Sequence, residues 1–269
     1  MYPGCISIAR AINCAQREFE TSGSTVRRDL KALGYVNKVC PKGPKRKAGD
    51  EEYRVSRCKE YLKMPVSKLL RIAFSDEKWF DTNDHGTRTV WCRPEDEPPR
   101  RVQCTWAPRV RVWGCVWKGG RVLVRLPPGR LTGATYKRHC LFALFAHLKA
   151  KGIPVDEVIL QYDGDTTHGT EECLHYLKTK GIEILPLWPP RSPDLSPIEN
   201  LWGIIQKRVD SHGPSDADEL YAFIEKEWEA IPQSEVDKLI ASFRRRCRKC
   251  VQKKGATITT RTSKAERGL

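Results

Sequence analysis

The sequence predicts an α/β fold in which a mixed β-sheet is flanked by helices and preceded by a small α-helical N-terminal region. Short apolar runs between residues 69 and 126 are bounded by Pro and Gly, a pattern typical of strands. From residue 132 onwards, helical periodicity alternates with further apolar runs. Strands that are followed by alternating helices and strands favour a mixed sheet with helices packed on it.

The N-terminal region, residues 1–40, contains one clear amphipathic segment. A helix is predicted between Ser24, a suitable cap, and Gly34, a suitable stop. Its apolar residues share one face, and its basic residues Arg27, Arg28 and Lys31 point elsewhere. A helix with one basic face and one apolar face fits the recognition helix of a helix-turn-helix, and residues 6–12 are a candidate support helix. Residues 41–65, which begin with a charged Pro/Gly-rich stretch, are interpreted as a linker.

A main domain is predicted over residues 66–255, followed by a basic tail, 256–269. Its first half contains a buried strand that ends at Asp76, and then a meander with a hairpin turn at Lys118–Arg121. Its second half contains a helix, a second buried strand that ends at Asp163, and then a helix, a strand and at least three more helices. The predicted bounds are 69–74, 87–93, 109–118, 121–126, 158–162 and 182–187 for the strands, and 132–150, 170–180, 197–209 and parts of 215–250 for the helices.

Charge is distributed unevenly along the chain. Lys and Arg total 48 against 33 Asp and Glu, a net charge of +15. The basic excess lies in residues 1–50 and 240–269, and residues 98–155 contain no acid, whereas acids predominate in residues 156–239. Such blocks favour a polyanion along the basic regions and a bound cation near the acidic one. The alternative is that the basic ends only keep the chain in solution.

The eleven cysteines form no disulfide framework, and the N-terminus has no apolar core of the kind a signal peptide needs. No apolar run approaches the roughly 20 residues that span a bilayer. We therefore expect reduced thiols, an intracellular location and no membrane partner. The Cys247-x-x-Cys250 pair lacks further ligands nearby, so a structural cysteine pair is favoured over a zinc site.

Three acidic residues occupy positions that are suitable for a catalytic or metal-binding carboxylate. Asp76 and Asp163 each follow an apolar strand, and Glu199 lies near the start of a helix. Carboxylates from distant parts of a chain stay together mainly when a cation neutralises them, and oxygen ligands favour Mg²⁺ or Mn²⁺. Two such ions can stabilise the attacking and leaving oxygens of a phosphodiester displacement. Turns after strands, and a capping box formed by Ser196 and Glu199, are the structural alternatives. Position alone does not fix the choice of ligands either, because three further acids are near neighbours: Glu77, Asp165 and Asp194.

Three segments of the sequence resemble the catalytic blocks of the mariner superfamily of DDE transposases. They are FSDEKWF from Phe74, QYDGDTTH from Gln161 and WPPRSPDLSPIENLW from Trp188, and the spacing between Asp163 and Glu199 is also similar to that of the family. Trp91 and the run 112–115 resemble further family features. The resemblance covers roughly residues 20–260 and implies a ribonuclease-H-like fold.

The resemblance also implies a function and a set of site residues. Asp76, Asp163 and Glu199 would hold two divalent ions, Mg²⁺ or Mn²⁺. The protein would cut double-stranded DNA at terminal inverted repeats and insert the freed ends at a TA dinucleotide, acting in the nucleus as a homodimer. Arg27, Arg28 and Lys31 would bind DNA, and His168 would orient a ligand or touch DNA, with an ordinary polar residue at a helix start as the alternative.

The chain departs from the family pattern at its N-terminus. Family members usually carry two helix-turn-helix subdomains, whereas only 75 residues precede Asp76 here, so a shortened N-terminal remnant is expected. A truncated or recruited non-catalytic DNA-binding protein is therefore an alternative function. A ribonuclease-H-type nuclease that acts on RNA–DNA hybrids is a third, although it would not require the long third block.

Overall fold

A computed structural model describes residues 6–7, 23–39, 47–82, 89–96, 108–164, 166–212 and 214–258 of the 269-residue chain. The chain divides into two compact units, one formed by residues 1–45 and 83–106 and the other by residues 46–82 and 107–269. In the described ranges, no helix combines the length and the apolar character that crossing a membrane requires.

The described residues form eight strands and ten α-helices. The strands are β1 (Ile6–Ser7), β2 (Val36–Val39), β3 (Ile72–Asp81), β4 (Thr89–Cys92), β5 (Arg109–Trp117), β6 (Gly120–Arg125), β7 (Ile159–Gln161) and β8 (Glu183–Ile184). The helices are α1 (Gly23–Ala32), α2 (Asp50–Lys63), α3 (Val66–Leu69), α4 (Gly133–Tyr136), α5 (Phe142–Ala150), α6 (Glu171–Lys180), α7 (Ile198–His212), α8 (Ala217–Ala230), α9 (Gln233–Ala241) and α10 (Phe243–Gln252). A π-helical turn, Lys137–Leu141, joins α4 to α5, and short 3₁₀ turns occupy Val155–Glu157 and Pro193–Leu195.

The first unit contains α1 and a three-stranded antiparallel sheet in the order β1-β4-β2. Helix α1 lies where the sequence predicts it. It ends at Ala32, and the turn that follows contains Gly34, whose φ of +81° is favourable for glycine. Two predictions were wrong here. The segment at residues 87–93 was predicted to belong to the main meander, but β4 pairs with β1 and β2. Residues 6–7 form a strand rather than a helix, and residues 8–12 lie outside the described residues.

The second unit contains a five-stranded mixed sheet in the order β6-β5-β3-β7-β8. Strands β3, β5 and β6 are antiparallel neighbours, and β7 and β8 continue the sheet in parallel with β3. The predicted hairpin is confirmed, because Trp117 pairs with Gly120 across a turn in which Gly119 has a φ of +84°. This architecture confirms the predicted mixed sheet with flanking helices.

Each face of the five-stranded sheet is covered by helices. Side chains alternate along β3, so that Phe74 contributes to one core and Ala73 to the other. The first core also contains buried residues of α2, α7, α8, α9 and α10. The second contains buried residues of α4, α5 and α6. The sheet is therefore the middle layer of a three-layer unit, and residues at its central strands are held from both sides.

Two elements of the second unit differ from their predicted form. Strand β3 continues to Asp81, so Asp76 lies within the strand and not at its end. Helix α2 begins at Asp50, inside the stretch interpreted as a linker, and packs against α10. The Pro/Gly-rich composition of residues 41–44 does not extend to residues 50–63, where four buried residues recur with helical spacing.

Candidate active site

Asp76, Asp163 and Glu199 line one pocket of about 280 Å³ in the second unit. Asp76 comes from the central strand β3, Asp163 from the loop that follows the neighbouring strand β7, and Glu199 from the first turn of α7. The remaining lining comes mainly from the loop that precedes α7, residues 188–193 and 196. The structure thus brings together the three carboxylates that the sequence singles out.

Asp76 is oriented by a tryptophan that the sequence analysis did not identify as functional. Trp202 Nε1 donates a hydrogen bond to Asp76 Oδ2 at 3.1 Å. Asp76 pairs with Gly114 across the sheet, and a Cβ atom on Gly114 would lie only 2.5 Å from the Trp202 ring. The absence of a side chain at Gly114 therefore makes room for the indole that fixes this carboxylate.

Glu199 does not form the capping box that was the structural alternative to a metal site. Ser196 Oγ, which would have to accept the hydrogen bond from the backbone of Glu199, is buried and has no partner among the described residues. Burial raises the pKa of the Glu199 carboxyl, and the nearby positive charge of Lys78 opposes that rise. The Glu199 side chain is therefore available to the pocket.

Asp163 is the most exposed of the three carboxylates, with 53% of its side chain accessible. His168 Nδ1 lies 2.9 Å from Asp163 Oδ1, and His168 Nε2 lies 3.1 Å from Glu77 Oε1. Burial opposes protonation of His168, but its contacts with Asp163 and Glu77 outweigh this effect and raise its pKa to about 10. Because His168 is only 2% exposed, its position favours an orienting role over the DNA contact offered as an alternative.

The electrostatics of the pocket suit a cation. Burial, and then the negative charges of Glu199 and Glu77, hold the pKa of Asp76 well above its usual range, although the Trp202 hydrogen bond acts in the opposite direction. Gln161 Oε1 and Ser196 Oγ, both from pocket-lining residues, are buried without hydrogen-bond partners among the described residues. A divalent ion would relieve the repulsion and supply a partner for unpaired oxygens, so the donor set fits a hard metal.

The donor set is not preassembled. Within the described ranges, no group of three or more His, Cys, Asp or Glu side chains has the arrangement of a metal centre. Mutual repulsion keeps carboxylates apart when no cation lies between them. Ligation by Asp76, Asp163 and Glu199 together would therefore require their side chains to move closer.

The predicted DNA-contact residues of the N-terminal region lie in the other unit. Arg27, Arg28 and Lys31 are exposed on α1, and Arg28 Nε is 3.3 Å from Asp29 Oδ1. Leu33, which was predicted to lie on the apolar back of this helix, is 72% exposed. The basic face of α1 is therefore accessible to a polyanion.

The predicted role of the cysteine pair agrees with its surroundings. Cys247 and Cys250 are fully buried in α10, and they contact Cys58 of α2 in the first hydrophobic core. Hydrogen bonds with neighbouring thiols, together with burial, raise the pKa of Cys58 and of Cys250, which disfavours the thiolate form that a metal requires. The three cysteines behave as core residues.

Lys78 is a functional candidate that the sequence analysis did not identify, whereas Glu77 was among the acids that left the choice of ligands open. Both come immediately after Asp76, so their proximity to the first carboxylate is a sequence signal. The contact of Glu77 with His168 and the electrostatic effect of Lys78 on Glu199 depend on the fold.

The sequence and the fold of this chain are similar to those of known proteins. A family profile described as DDE superfamily endonuclease matches residues 71–221, more than half of the chain. The Tcb2 transposase of Caenorhabditis briggsae is 26% identical over 249 residues, which are 88% of each chain. The Tc1 transposase of Caenorhabditis elegans is 28% identical over 243 residues, 87% of this chain and 86% of that protein.

The fold also matches solved structures. A Mos1 transposase paired-end complex with the left transposon end superposes with a TM-score of 0.67 at 21% identity, over 91% of this chain and 74% of that one. The isolated catalytic domain of Mos1 mariner transposase gives a TM-score of 0.64 at 20% identity, over 81% of this chain and all of that domain. At this level of identity, the match shows that the fold is that of the Mos1 catalytic domain.

Proposed function

Because this chain belongs to the DDE superfamily of endonucleases and is homologous to the Tc1 and Tcb2 transposases, we propose that it cleaves and joins DNA at the pocket formed by Asp76, Asp163 and Glu199. The convergence of these three carboxylates in one pocket is the observation that supports this assignment most strongly. The proposed reaction is metal-dependent cleavage at the ends of a transposon, followed by transfer of the freed 3′ ends into a TA target.

The three carboxylates would hold two divalent ions, Mg²⁺ or Mn²⁺, and structures of the Mos1 catalytic domain contain each of these metals. Such a pair supplies activation of the nucleophile and stabilisation of the leaving oxygen. Asp76 and Glu199 must be ionised to ligate, and their raised pKa values couple ligation to release of protons. The Trp202 hydrogen bond favours the ionised form of Asp76, and His168 holds Asp163 against the wall of the pocket.

The proposed partner is double-stranded DNA, which would follow basic surfaces of the chain. Arg27, Arg28 and Lys31 on α1 are proposed contacts with phosphates. A homodimer and a nuclear location are further parts of the proposal, since two transposon ends must be brought together on genomic DNA. Residues 1–40 are proposed as the DNA-binding region and residues 66–255 as the catalytic domain.

Neutralising one carboxylate tests this function. We expect Asp163→Asn to abolish cleavage of transposon-end duplexes in Mg²⁺ or Mn²⁺ while leaving DNA affinity in EDTA unchanged, because the substitution preserves shape and removes one ligand charge. Asp218→Asn is the matched control, since Asp218 is exposed and its partner is the surface residue Arg125. Equal cleavage by Asp163→Asn and the parent protein would refute the site.

The alternative function, a DNA-binding protein without catalysis, predicts a different result. The parent protein would then bind DNA in a salt-sensitive way and yield neither cleaved nor joined products at any concentration of Mn²⁺. Detection of either product excludes this alternative.

A further inference from the structure

One wall of the carboxylate pocket is a loop with an unfavourable backbone. Residues 188–193 of this loop line the pocket together with Asp76, Asp163 and Glu199. Leu187 and Arg191 have φ values of +57° and +49°, a region that residues other than glycine rarely occupy. Such conformations persist only where the surrounding structure holds them, so the contacts of this loop determine its shape.

Helix α2 presents one buried face to this loop. Asp50, Arg54, Cys58 and Tyr61 are the buried residues of the helix, and their spacing of four, four and three places them on the same side. Tyr61 Oη lies 3.1 Å from the carbonyl oxygen of Pro186 and 3.2 Å from that of Leu187, and can donate to either. At the other end of the loop, the Asp50 carboxylate pairs with the guanidinium of Arg191. Both residues with positive φ are thus contacted from α2.

Arg54 holds the part of the loop that leads into α7. Its Nη1 donates to Ser192 Oγ at 2.6 Å and to Asp194 Oδ1 at 2.9 Å, and its Nη2 donates to Asp194 Oδ2 at 2.7 Å. The Arg54 side chain is fully buried and that of Asp194 is only 8% exposed, so the bidentate pair is shielded from water. The three hydrogen bonds from this one guanidinium restrict the conformation of the loop between Ser192 and Asp194.

A second arginine extends this network to the residue next to Glu199. Arg246 of α10 donates through Nη1 to the carbonyl oxygen of Asp194 at 3.1 Å, and through Nη2 to Asn200 Oδ1 at 2.6 Å. Asn200 directly follows Glu199 in the first turn of α7. The loop and the start of the catalytic helix are therefore tied to the same buried polar network.

We propose that helix α2 is a positioning element of the active site, acting through Tyr61, Arg54 and Asp50 on the loop that precedes α7. It holds this wall of the pocket in the shape that lets Glu199 approach Asp76 and Asp163 when metal binds. None of the three residues touches the reacting atoms. The consequence for catalysis rests on the function proposed above, whereas the hold on the loop is a separate property of the fold.

The first test measures the loop itself. Arg54→Met removes the positive charge that pairs with the buried Asp194 carboxylate and can fail to fold. Tyr61→Phe, which removes only a hydroxyl, is therefore the main variant. We expect amide hydrogen exchange in residues 186–196 to be about five-fold faster in Tyr61→Phe, the factor that a single net hydrogen bond is worth. Tyr221→Phe is the matched control, because it removes a tyrosine hydroxyl that bonds Glu225 on α8. An unchanged rate of hydrogen exchange in this segment would overturn the proposal, regardless of how the variant binds metal.

The second test measures the pocket. In Tyr61→Phe we expect Mn²⁺ binding, followed by the electron paramagnetic resonance of free Mn²⁺, to weaken several-fold, and cleavage at saturating DNA to slow by a similar factor. DNA affinity in EDTA should not change. If Arg54→Met folds, it should show the same effects, whereas Arg121→Met should show none, because Arg121 binds the carbonyls of Glu229 and Ile231.

The outcomes separate this inference from the proposed function. Faster loop exchange with unaltered Mn²⁺ binding would overturn the link between α2 and the pocket. A parent protein that binds no Mn²⁺ and cleaves no DNA would refute the proposed function, and the exchange experiment would still decide whether α2 holds the loop.

Discussion

At the scale of single residues, the buried carboxylates of the pocket lower the free energy of unfolding. Asp76 is partly buried beside Glu199, Glu77 and Asp163, and burial together with these charges raises its pKa. An acid whose pKa is higher in the folded than in the unfolded state lowers the free energy of unfolding at every pH at which the unfolded state is ionised. This cost is present above the folded-state pKa, and it disappears as the pH falls below the ordinary pKa of aspartate.

We therefore expect Asp76→Asn to stabilise the metal-free protein at neutral pH, by roughly 1 kcal/mol, while abolishing cleavage. For a chain of this size, that corresponds to a rise in melting temperature of roughly 2–4 °C. The measurement is thermal unfolding in EDTA at pH 7, repeated near pH 4, where the gain should shrink. Asp218→Asn, at a surface carboxylate, provides the control. A lower melting temperature for Asp76→Asn at pH 7 would contradict the argument.

At the scale of secondary-structure elements, β3, β5 and α7 meet around the ring of Trp202. The ring of Trp202 on α7 lies over Gly114 of β5, and it stacks on Trp228 of α8 with ring centroids 5.3 Å apart. The same ring contacts Phe80 of β3 edge to face at 5.8 Å. A helix that approaches the sheet this closely places Glu199, three residues before Trp202, beside the central strand.

Gly114→Ala tests this contact. A Cβ at this position would lie 2.5 Å from Trp202, so the ring must shift and its hydrogen bond to Asp76 must weaken. We expect a loss of about 1–3 kcal/mol in the free energy of unfolding and slower cleavage.

Gly203→Ala is the control for Gly114→Ala, since a Cβ there meets nothing within 4 Å and lies in the interior of α7. It should raise the free energy of unfolding by up to about 1 kcal/mol through helix propensity. Denaturant unfolding of both variants measures these changes. If the two substitutions change the free energy of unfolding equally, the Trp202 ring does not need the space above Gly114.

The sequence predicted the sheet and its helices well because strong apolar periodicity marks them. It predicted the three carboxylates through the motifs that carry them, and the structure places them in one pocket. Local patterns cannot report contacts between distant elements, which is why the Trp202–Asp76 bond and the contacts of α2 with the loop before α7 were not predicted. The capping box failed for a related reason, because burial and tertiary packing decide whether Ser196 and Glu199 bond to each other.

At the scale of the whole molecule, charge separates the proposed tasks. Acids predominate in residues 156–239, which supply Asp163 and Glu199, whereas the basic excess lies towards both ends of the chain. A polyanion is attracted to the basic regions and repelled by uncompensated carboxylates, so metal and DNA are expected to favour each other's binding at the pocket. The contribution of α1 to DNA affinity can be measured separately from catalysis, because its basic residues lie in the other unit.

The combined variant Arg27→Ala, Arg28→Ala and Lys31→Ala should weaken DNA binding and reduce the slope of log affinity against log salt by about 1 for each phosphate that the protein no longer neutralises. The control variant, Lys63→Ala, Lys226→Ala and Lys238→Ala, removes the same positive charge from the second unit. Lys63 and Lys238 suit this control because each pairs with a neighbouring glutamate. Fluorescence anisotropy on a transposon-end duplex at about 50 to 200 mM salt measures both slopes. Cleavage at saturating DNA should be unchanged in both variants, since neither alters the carboxylate pocket. If the two variants lose affinity equally, net charge alone governs binding and α1 is not a specific DNA contact.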